Sequence, residues 1–297
     1  MPGKEPHRAT RPRIRDYVDL WILRLAKLKK RIENPDQRGE ETFYEAFFED
    51  KDLQAYDVDI RMRIRRQTVG NALARHCPHP SNVLDVGCGL GELLAGLDPG
   101  YTLHGVDIAA RSVRVCIERL GPNAVVKKGS VFDLPFGDGS MGVAICLEVL
   151  EHVPDDQSAL AEIGRVVRPG GILVLSVPHT YYWPEYLELI GHYRHYDRVA
   201  VEHMLERRGF TVVEHLPNYP NWHRAYVNGY VRTRVVAETL GRILGTRSPY
   251  DLRVPWRSRR ELERLEDQLQ PLLEADARLP YSGLSTSTFV VARRNGQ

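Results

Sequence analysis

The sequence predicts an α/β fold, in which a mostly parallel sheet has helices on both faces. Short apolar segments alternate with helical segments along the middle of the chain, and the first apolar segment runs directly into a glycine-rich turn. Alternation at this spacing is typical of right-handed β-α-β units, whose strands are parallel. The apolar segments predict strands over residues 82–86, 102–106, 124–128, 141–146 and 171–178.

Composition narrows the class of protein. The 297 residues are enough for one large domain with a modest accessory segment. A formal net charge of +2 at pH 7 indicates neither a general nucleic-acid binder nor a disordered acidic chain. The four cysteines form no C-x-x-C pair, and we see no signal peptide and no apolar run of about 18 residues. We therefore expect a cytoplasmic protein.

The glycine-rich turn lies in residues 83–91, Val-Leu-Asp-Val-Gly-Cys-Gly-Leu-Gly. Gly87, Gly89 and Gly91 permit positive φ and let the backbone approach a ligand closely. A dinucleotide-binding domain would need its third glycine at position 92, where a pyrophosphate rests on the start of a helix. Position 92 is a glutamate, Glu92, whose charge opposes a pyrophosphate. The turn therefore favours a ligand with a cationic group.

Further motifs follow this turn in a fixed order. They are Asp107, 22 positions after Asp85; Gly-Ser-Val-Phe-Asp-Leu-Pro-Phe at 129–136; Cys-Leu-Glu-Val-Leu-Glu-His-Val at 146–153; and Val-Val-Arg-Pro-Gly-Gly at 166–171. With the turn, they resemble the class I S-adenosylmethionine-dependent methyltransferases over roughly residues 60–216. The resemblance is to the small-molecule enzymes of methyltransferase type 11, which include ubiquinone methyltransferases.

The resemblance implies a Rossmann-like, seven-stranded sheet whose sixth and seventh strands form an antiparallel pair. A helix over 198–208 and a strand over 210–215 fit this pattern, and the seventh strand is predicted over 287–293. Because about 70 residues separate the last two strands, we expect a helical cap with helices near 222–245 and 258–276. The predicted domains are a basic and aromatic helical extension over 1–59, a catalytic domain over 60–216 and 285–297, and the cap over 217–284.

The same resemblance implies cofactor contacts for S-adenosylmethionine. Asp85 is expected near the methionine amine, and Asp107 near the ribose hydroxyls, a role that could coexist with capping of the following helix. The family's acidic residue at the adenine falls on Ser130, a weaker acceptor, and Asp133 could fold back to replace it. The remaining predicted contacts are Gly87, Cys88, Gly89, Gly91, Ile108, Val131, Cys146 and Leu147. Cys88 and Cys146 are interpreted as small core residues, not nucleophiles.

The N-terminal region carries two further predictions. In related methyltransferases, a tyrosine ahead of the first strand commonly touches the cofactor, and Tyr44 and Tyr56 are candidates here; both could instead close the core. Residues 17–32 form a basic amphipathic helical pattern. This helix is expected to pack on the domain or on a dimer partner, with peripheral contact to an anionic membrane as the alternative.

Methyl transfer requires an acceptor held in line with the methyl group, and a base where the acceptor must lose a proton. The candidate bases are His152, His179 and His195, since neutral histidine is the usual base at physiological pH. Each could instead anchor a loop. Glu148 and Glu151 with His152 could ligate a divalent cation, as in some quinone-type O-methyltransferases. The sequence shows no complete ligand set, so no metal site is predicted.

The acceptor is predicted to be a small or lipid-like molecule bound by an aromatic wall. Candidate contacts are Glu148, Tyr181, Tyr182, Trp183, Tyr193, Tyr219, Trp222 and His223. Methylation at oxygen is favoured over nitrogen or carbon. Methylation of RNA or protein is one alternative, although the Asn/Asp-Pro-Pro-Tyr signature of many nucleic-acid enzymes is absent after the fourth strand. A regulator or inactive partner that binds S-adenosylmethionine is the other.

Overall fold

The structure, a computed structural model, describes four stretches of chain and five single positions between the third and the fourth. The stretches are residues 60–77, 81–179, 192–217 and 287–296, and the single positions are 264, 268, 271, 272 and 275. All five single positions are helical and fall within the helix predicted over 258–276. The N-terminal extension, the domain boundaries and the rest of the cap lie outside the described residues and stay predictions.

Seven strands form one sheet. They are β1 (Asn82–Val86), β2 (Thr102–Asp107), β3 (Ala124–Lys128), β4 (Met141–Leu147), β5 (Val167–Pro178), β6 (Phe210–His215) and β7 (Ser287–Arg294). Their order across the sheet is β3-β2-β1-β4-β5-β7-β6, and β7 runs antiparallel to the other six strands, which are parallel to one another. The predicted Rossmann-like sheet is confirmed. Its order reverses between β1 and β4, where open α/β sheets bind ligands beyond the strands' carboxyl ends.

Helices connect these strands. They are α1 (Ile60–His76), α2 (Glu92–Ala95), α3 (Ala110–Leu120), α4 (Asp156–Val166) and α5 (Arg198–Arg207), with 3-10 turns at Gly121–Asn123 and Leu150–His152. Side-chain caps begin two of them: the carboxylate of Asp155 accepts bonds from the first turn of α4, and that of Asp197 does so for α5. Among the described helices, none has the length and apolar character needed to cross a membrane.

The core has two layers, one on each face of the sheet. Along β1, Leu84 and Val86 belong to one buried cluster, whereas Val83 belongs to the other. Neighbouring β4 repeats this division, with Ala144 in the first cluster and Ile145 in the second. Because successive side chains of a strand point to opposite faces, both faces are covered with apolar side chains. The central strands are thereby held rigidly under the glycine turn.

The fifth strand differs from its prediction. The sequence predicts a start at residue 171, after an Arg-Pro-Gly-Gly turn, but β5 begins at Val167, which pairs with Met141. The register shifts before Val143 pairs with Ile172, and the exposed intervening residues include Gly170 at φ +75°. The turn-forming residues are therefore an irregularity within the strand, because pairing with β4 resumes beyond them.

Candidate functional site

The glycine turn follows β1 and adopts the backbone that its sequence predicts. Gly87, Gly89 and Gly91 have φ of +74°, +52° and +82°. A Cβ on Gly87 would lie 2.6 Å from Val149 Cγ2, and a Cβ on Gly91 would lie 2.6 Å from Cys116 Sγ. Both contacts are too close for any larger residue. Glycine is therefore required for backbone conformation and for packing against the loop after β4 and against α3.

Asp107 joins the end of β2 to this turn. One of its carboxylate oxygens accepts a hydrogen bond of 2.9 Å from the backbone N–H of Gly89, and the other accepts one of 2.9 Å from the N–H of Ala109. Asp107 thus fixes the residue before α3, but Ala109 is the N-cap residue of that helix and no side chain caps it, so the capping role that the sequence left open is not made. The predicted contact to a ribose stays a prediction, and it would be made by a carboxylate already held in place.

Three buried carboxyl groups surround the turn: Asp85 at the end of β1, Glu92 at the start of α2, and Asp107. Burial, followed by the nearby charges of Asp107 and Glu92, raises the pKa of Asp85 to about 8. The guanidinium of Arg119 lies 4.0 Å from Glu92. This acidic cluster disfavours a phosphate and favours a cation, because a positive ligand would stabilise the ionised form of Asp85.

The loop after β3 contains the predicted adenine contacts. The hydroxyl oxygen of Ser130 accepts a hydrogen bond of 3.2 Å from the N–H of Phe132, and the N–H of Asp133 donates one of 3.1 Å to the carbonyl of Ser130. Asp133 itself is exposed. Each residue retains acceptor capacity, so the adenine role of this loop stays a prediction.

The two predicted cysteine contacts are core residues. Cys88 and Cys146 are buried. The hydrogen bond that the Cys88 thiol donates to Cys116, followed by burial, raises the pKa of Cys88 well above the ordinary thiol value, and burial does the same for Cys146. Cys146 has no exposed surface, so only its backbone could face a cofactor. The side chains of Ile108, Val131 and Leu147 are half-buried, and their predicted contacts remain open.

Glu148 follows β4 and has an unusual backbone. Its φ of +56° makes it the one non-glycine residue with positive φ in the described part of the chain. The hydroxyl of Ser176 donates a hydrogen bond of 2.7 Å to its carboxylate, and a guanidinium nitrogen of Arg65 lies 3.7 Å away. Strained backbone of this kind is often found at functional sites. The carboxylate is thereby held at the carboxyl end of β4.

A histidine cluster lies beside this position. The rings of His152 and His192 meet edge to face with centroids 4.4 Å apart, and His192 Nδ1 lies 2.7 Å from His195 Nε2. Burial and the neighbouring imidazoles lower the pKa of His192 to about 2. Burial also lowers the pKa of His195 to about 4, partly opposed by Glu148. The sequence did not single out His192, although its three-residue spacing from His195 was a usable signal.

The segment over residues 192–197 is tied to the 3-10 turn after β4. The N–H of Tyr193 donates a 2.7 Å bond to the carbonyl of Glu151, and the hydroxyl of Tyr196 donates one of 2.9 Å to Asp156. The guanidinium of Arg194 donates a bond of 2.8 Å to the carbonyl of Val153. The cluster is therefore assembled from two segments about 40 residues apart.

Of the other predicted residues, His179 and Tyr193 are described by the structure, and the rest lie outside the described residues. His179 lies at the end of β5, where its Nε2 is 2.8 Å from the hydroxyl of Thr288, and Tyr193 is 56% exposed. His179 also lies close enough to His195 to lower the pKa of that imidazole, and its predicted role as a base stays a prediction. The predicted contacts outside the described residues are Tyr44, Tyr56, Tyr181, Tyr182, Trp183, Tyr219, Trp222 and His223.

Comparison with known proteins agrees with this geometry. A family model described as a methyltransferase domain matches residues 84–175. A 2-methyl-6-phytyl-1,4-hydroquinone methyltransferase from Synechocystis sp. is 39% identical over 104 residues, which cover 33% of this chain and 32% of that protein. A ubiquinone biosynthesis O-methyltransferase from Thiobacillus denitrificans is 38% identical over 101 residues, which cover 32% of this chain and 43% of that protein.

Solved structures show the same fold. Phosphoethanolamine N-methyltransferase 2 of Haemonchus contortus, in complex with S-adenosyl-L-methionine, superposes with a TM-score of 0.53 at 17% identity, covering 88% of this chain and 61% of that one. Residues 84–175 therefore match a methyltransferase domain, and the sheet has the class I methyltransferase fold. The predicted resemblance to the S-adenosylmethionine-dependent enzymes is confirmed. The alignments span less than half of either curated relative described above.

Proposed function

We propose that this chain transfers a methyl group from S-adenosylmethionine to a small-molecule acceptor, at an oxygen atom. The observation that carries the proposal is the acidic glycine turn, where Asp85 on β1, Asp107 at the end of β2 and Glu92 at the start of α2 are all buried. S-adenosylmethionine has an amine and a sulfonium and no phosphate. A cation bound here would offset the cost of three desolvated carboxyl groups.

The residues present fit this cofactor. The three glycines have positive φ and no side chains, so bare backbone is available to a ligand at the carboxyl end of β1. Asp107 follows the second strand, at the position where the family pattern has its ribose contact. Bound S-adenosylmethionine supplies a methyl group on a positively charged sulfur. The tasks left to this chain are to orient the acceptor behind that methyl group, exclude water, and accept a proton.

The histidine cluster supports the proton-accepting task. His192 and His195 are neutral at neutral pH, because burial lowers the pKa of both. A neutral imidazole beside the end of β4 can accept the proton of an acceptor hydroxyl. Among the predicted bases, His152 and His195 belong to this cluster. His179 is a weaker candidate, since it pairs with Thr288 instead.

The choice of a small acceptor rests on the relatives' names and on the sequence. The two curated relatives are named for a hydroquinone and for ubiquinone biosynthesis, so a hydroxylated ring is the acceptor class that they support. The aromatic contacts predicted at 181–183 and in the cap would suit such a ring. Membrane contact through residues 17–32 would bring the site to a lipid-like acceptor. That contact and the dimer contact both remain predictions.

The test is transfer of a radiolabelled methyl group from S-adenosylmethionine into separated small molecules, lipids, RNA and protein. We expect label in a small-molecule or lipid fraction, whereas label confined to RNA or protein would overturn the acceptor class. Cofactor binding without transfer to any fraction would instead support a non-catalytic partner.

Gly89→Arg tests the cofactor site directly. The arginine adds a large cationic side chain to the turn, so we expect loss of S-adenosylmethionine binding in calorimetry with an unchanged circular dichroism spectrum. Gly137→Arg is the matched control, because Gly137 is exposed and a Cβ there would contact nothing within 4 Å. Unchanged cofactor affinity in Gly89→Arg would contradict the assignment.

A further inference from the structure

We propose that Glu151, His152 and His192 form a binding site for one divalent transition-metal ion of the zinc type. One ligand atom from each of these residues lies within 4.8 Å of the others. The site lies beyond the carboxyl end of β4, and His195 orients His192 within it. The metal would bring a Lewis acid to the histidine cluster, which goes beyond the proposed function.

Glu151 is the first observation that points to a cation. Its side chain is completely buried, and in the described part of the chain no other residue makes a hydrogen bond to either carboxylate oxygen. The imidazole of His152 lies close by, with its Nε2 3.9 Å from Oε1. A buried carboxyl group without hydrogen bonds is costly unless a charge or a metal compensates for it. An ion between Glu151 and the imidazoles would supply that compensation.

The donor set identifies the class of metal. Two imidazole nitrogens and one carboxylate oxygen suit zinc and its neighbours, with metal–ligand distances of about 2.0–2.2 Å. Magnesium and calcium prefer oxygen ligands. A separation of at most 4.8 Å between the donor atoms requires only a modest inward movement of each side chain to reach such distances. Three protein ligands would leave one coordination position for an exogenous oxygen.

His195 supplies the second independent observation. Its Nε2 lies 2.7 Å from His192 Nδ1, so one ring donates to the other. Ligating histidines almost always direct their second nitrogen to a hydrogen-bond partner, which sets the tautomer and the ring orientation. With Nδ1 of His192 paired to His195, Nε2 of His192 remains as the metal-binding atom. His195 is therefore a positioning residue for the metal.

The ligand set differs from the one that the sequence alone suggested. Glu148 is engaged by the hydroxyl of Ser176 and by Arg65, and its strained backbone holds it there. The third ligand is instead His192, which comes from the segment after β5. The hydrogen bond between Tyr193 and the carbonyl of Glu151 fixes that segment to the 3-10 turn. Both parts of the site are thereby positioned before any ion binds.

The consequence for catalysis rests on the proposed function. An acceptor hydroxyl in the open coordination position would be oriented by the metal, which would also lower the pKa of that hydroxyl. His152 and His192 would then be ligands, and His195 Nε2 would accept the hydrogen bond of the His192 Nδ1–H. The acidified hydroxyl's proton would pass to solvent water as its oxygen attacks the methyl carbon, and the electron pair of the broken carbon–sulfur bond would leave with S-adenosylhomocysteine.

Cobalt is a suitable probe, because Co²⁺ replaces zinc and absorbs visible light when bound by nitrogen and oxygen ligands. The full-length protein would be stripped with a chelator and titrated with CoCl₂, followed by competition with ZnCl₂. We expect one Co²⁺ per chain, displaced by one Zn²⁺. Absence of a protein-bound cobalt spectrum would overturn the proposal.

Variants identify the ligands. His192→Ala and Glu151→Gln are each expected to weaken Co²⁺ binding at least 100-fold, whereas His203→Ala, an exposed histidine on α5, should bind as the wild type does. Unaltered binding in His192→Ala would overturn the site. In Glu151→Gln the metal-free protein should melt no lower than the wild type, because the carboxylate oxygens that the substitution removes accept no hydrogen bond from another described residue; a large loss of stability would contradict that account of Glu151.

Calorimetry with S-adenosylmethionine separates this proposal from the proposed function. His192→Ala is expected to lose the metal and retain cofactor affinity, since His192 lies outside the glycine turn. Metal binding by a protein that transfers no methyl group would contradict the proposed function alone. Methyl transfer by a protein that binds no cobalt would contradict the metal site alone.

Discussion

The backbone N–H of Gly89 donates a 2.9 Å hydrogen bond to the carboxylate of Asp107. This bond connects the turn after β1 to the end of β2, so the two segments that would flank a cofactor are held together before it binds. The same carboxylate also accepts a bond from Ala109 at the start of α3. Asp107 therefore has a structural function in addition to the cofactor contact proposed for it.

Asp107→Ala should weaken both the fold and cofactor binding. Each buried N–H left without an acceptor costs about 1–3 kcal/mol, so denaturant unfolding should show a clear loss of stability. S-adenosylmethionine affinity should fall at least tenfold. Asp98→Ala is the control, because Asp98 also accepts a backbone hydrogen bond, from Gly100, but in an exposed loop. An equal loss of affinity in both variants would refute a specific role for Asp107.

The raised pKa of Asp85 predicts how stability depends on pH. The pKa is about 8 in the folded protein against an ordinary value of 3.8, so the folded state binds the proton more tightly than the unfolded state. Stability from this group is present below pH 4 and is lost as pH rises towards 8, by at most about 1.4 kcal/mol per pH unit. Unfolding titrations from pH 5 to 8 should show a shallower decline in Asp85→Asn.

The same group makes cofactor binding depend on pH in the opposite direction. A cationic amine binds the ionised form of Asp85, so S-adenosylmethionine affinity should rise between pH 6 and about 7.7. Above that range the α-amino group itself begins to lose its proton, which should end the rise. Calorimetry at several pH values measures this effect. If Asp85→Asn kept the full pH dependence, the carboxyl group responsible would have to be another one.

A pair of glycine substitutions separates backbone strain from helix propensity. Gly91→Ala places a Cβ 2.6 Å from Cys116 Sγ at a φ of +82°, so it should destabilise the protein by about 1–3 kcal/mol and weaken cofactor binding. Gly70→Ala lies within α1 with open space around the new methyl group. It should stabilise the protein by about 0.5–1 kcal/mol. Thermal melting of both variants measures these changes in stability. An unchanged melting temperature in Gly91→Ala would contradict the close contact between the turn and Cys116.

His195→Ala should lower kcat more than KM. Loss of a positioned proton acceptor typically costs about 10²- to 10⁴-fold in rate. The assay is methyl transfer to whichever acceptor gains label, with S-adenosylmethionine affinity measured in parallel. His215→Ala is the control, because His215 is an exposed histidine on β6 that pairs with Glu202 and not with the cluster. A kcat within threefold of the wild type would exclude His195 as the base.

Much of the fold could be predicted because it depends on local pattern. Strand alternation placed β1 to β4, β6 and β7 within a residue of their observed bounds. The start of β5 could not be read locally, since Val167 joins the strand only by pairing with Met141 across the sheet. The glycine turn was also predictable, because positive φ and a close backbone approach both select glycine.

What the sequence by itself determined is the cofactor half of the site, where the turn, Asp85, Glu92 and Asp107 are ordered by a continuous β-α-β unit. The histidine cluster was decided by tertiary structure. His192 contacts His152 because backbone and side-chain hydrogen bonds connect two loops about 40 residues apart. Glu151 is shielded from water because the side chains of the folded domain pack around it. Contacts between distant segments leave no periodic pattern in a sequence, so only the folded chain could bring these groups together.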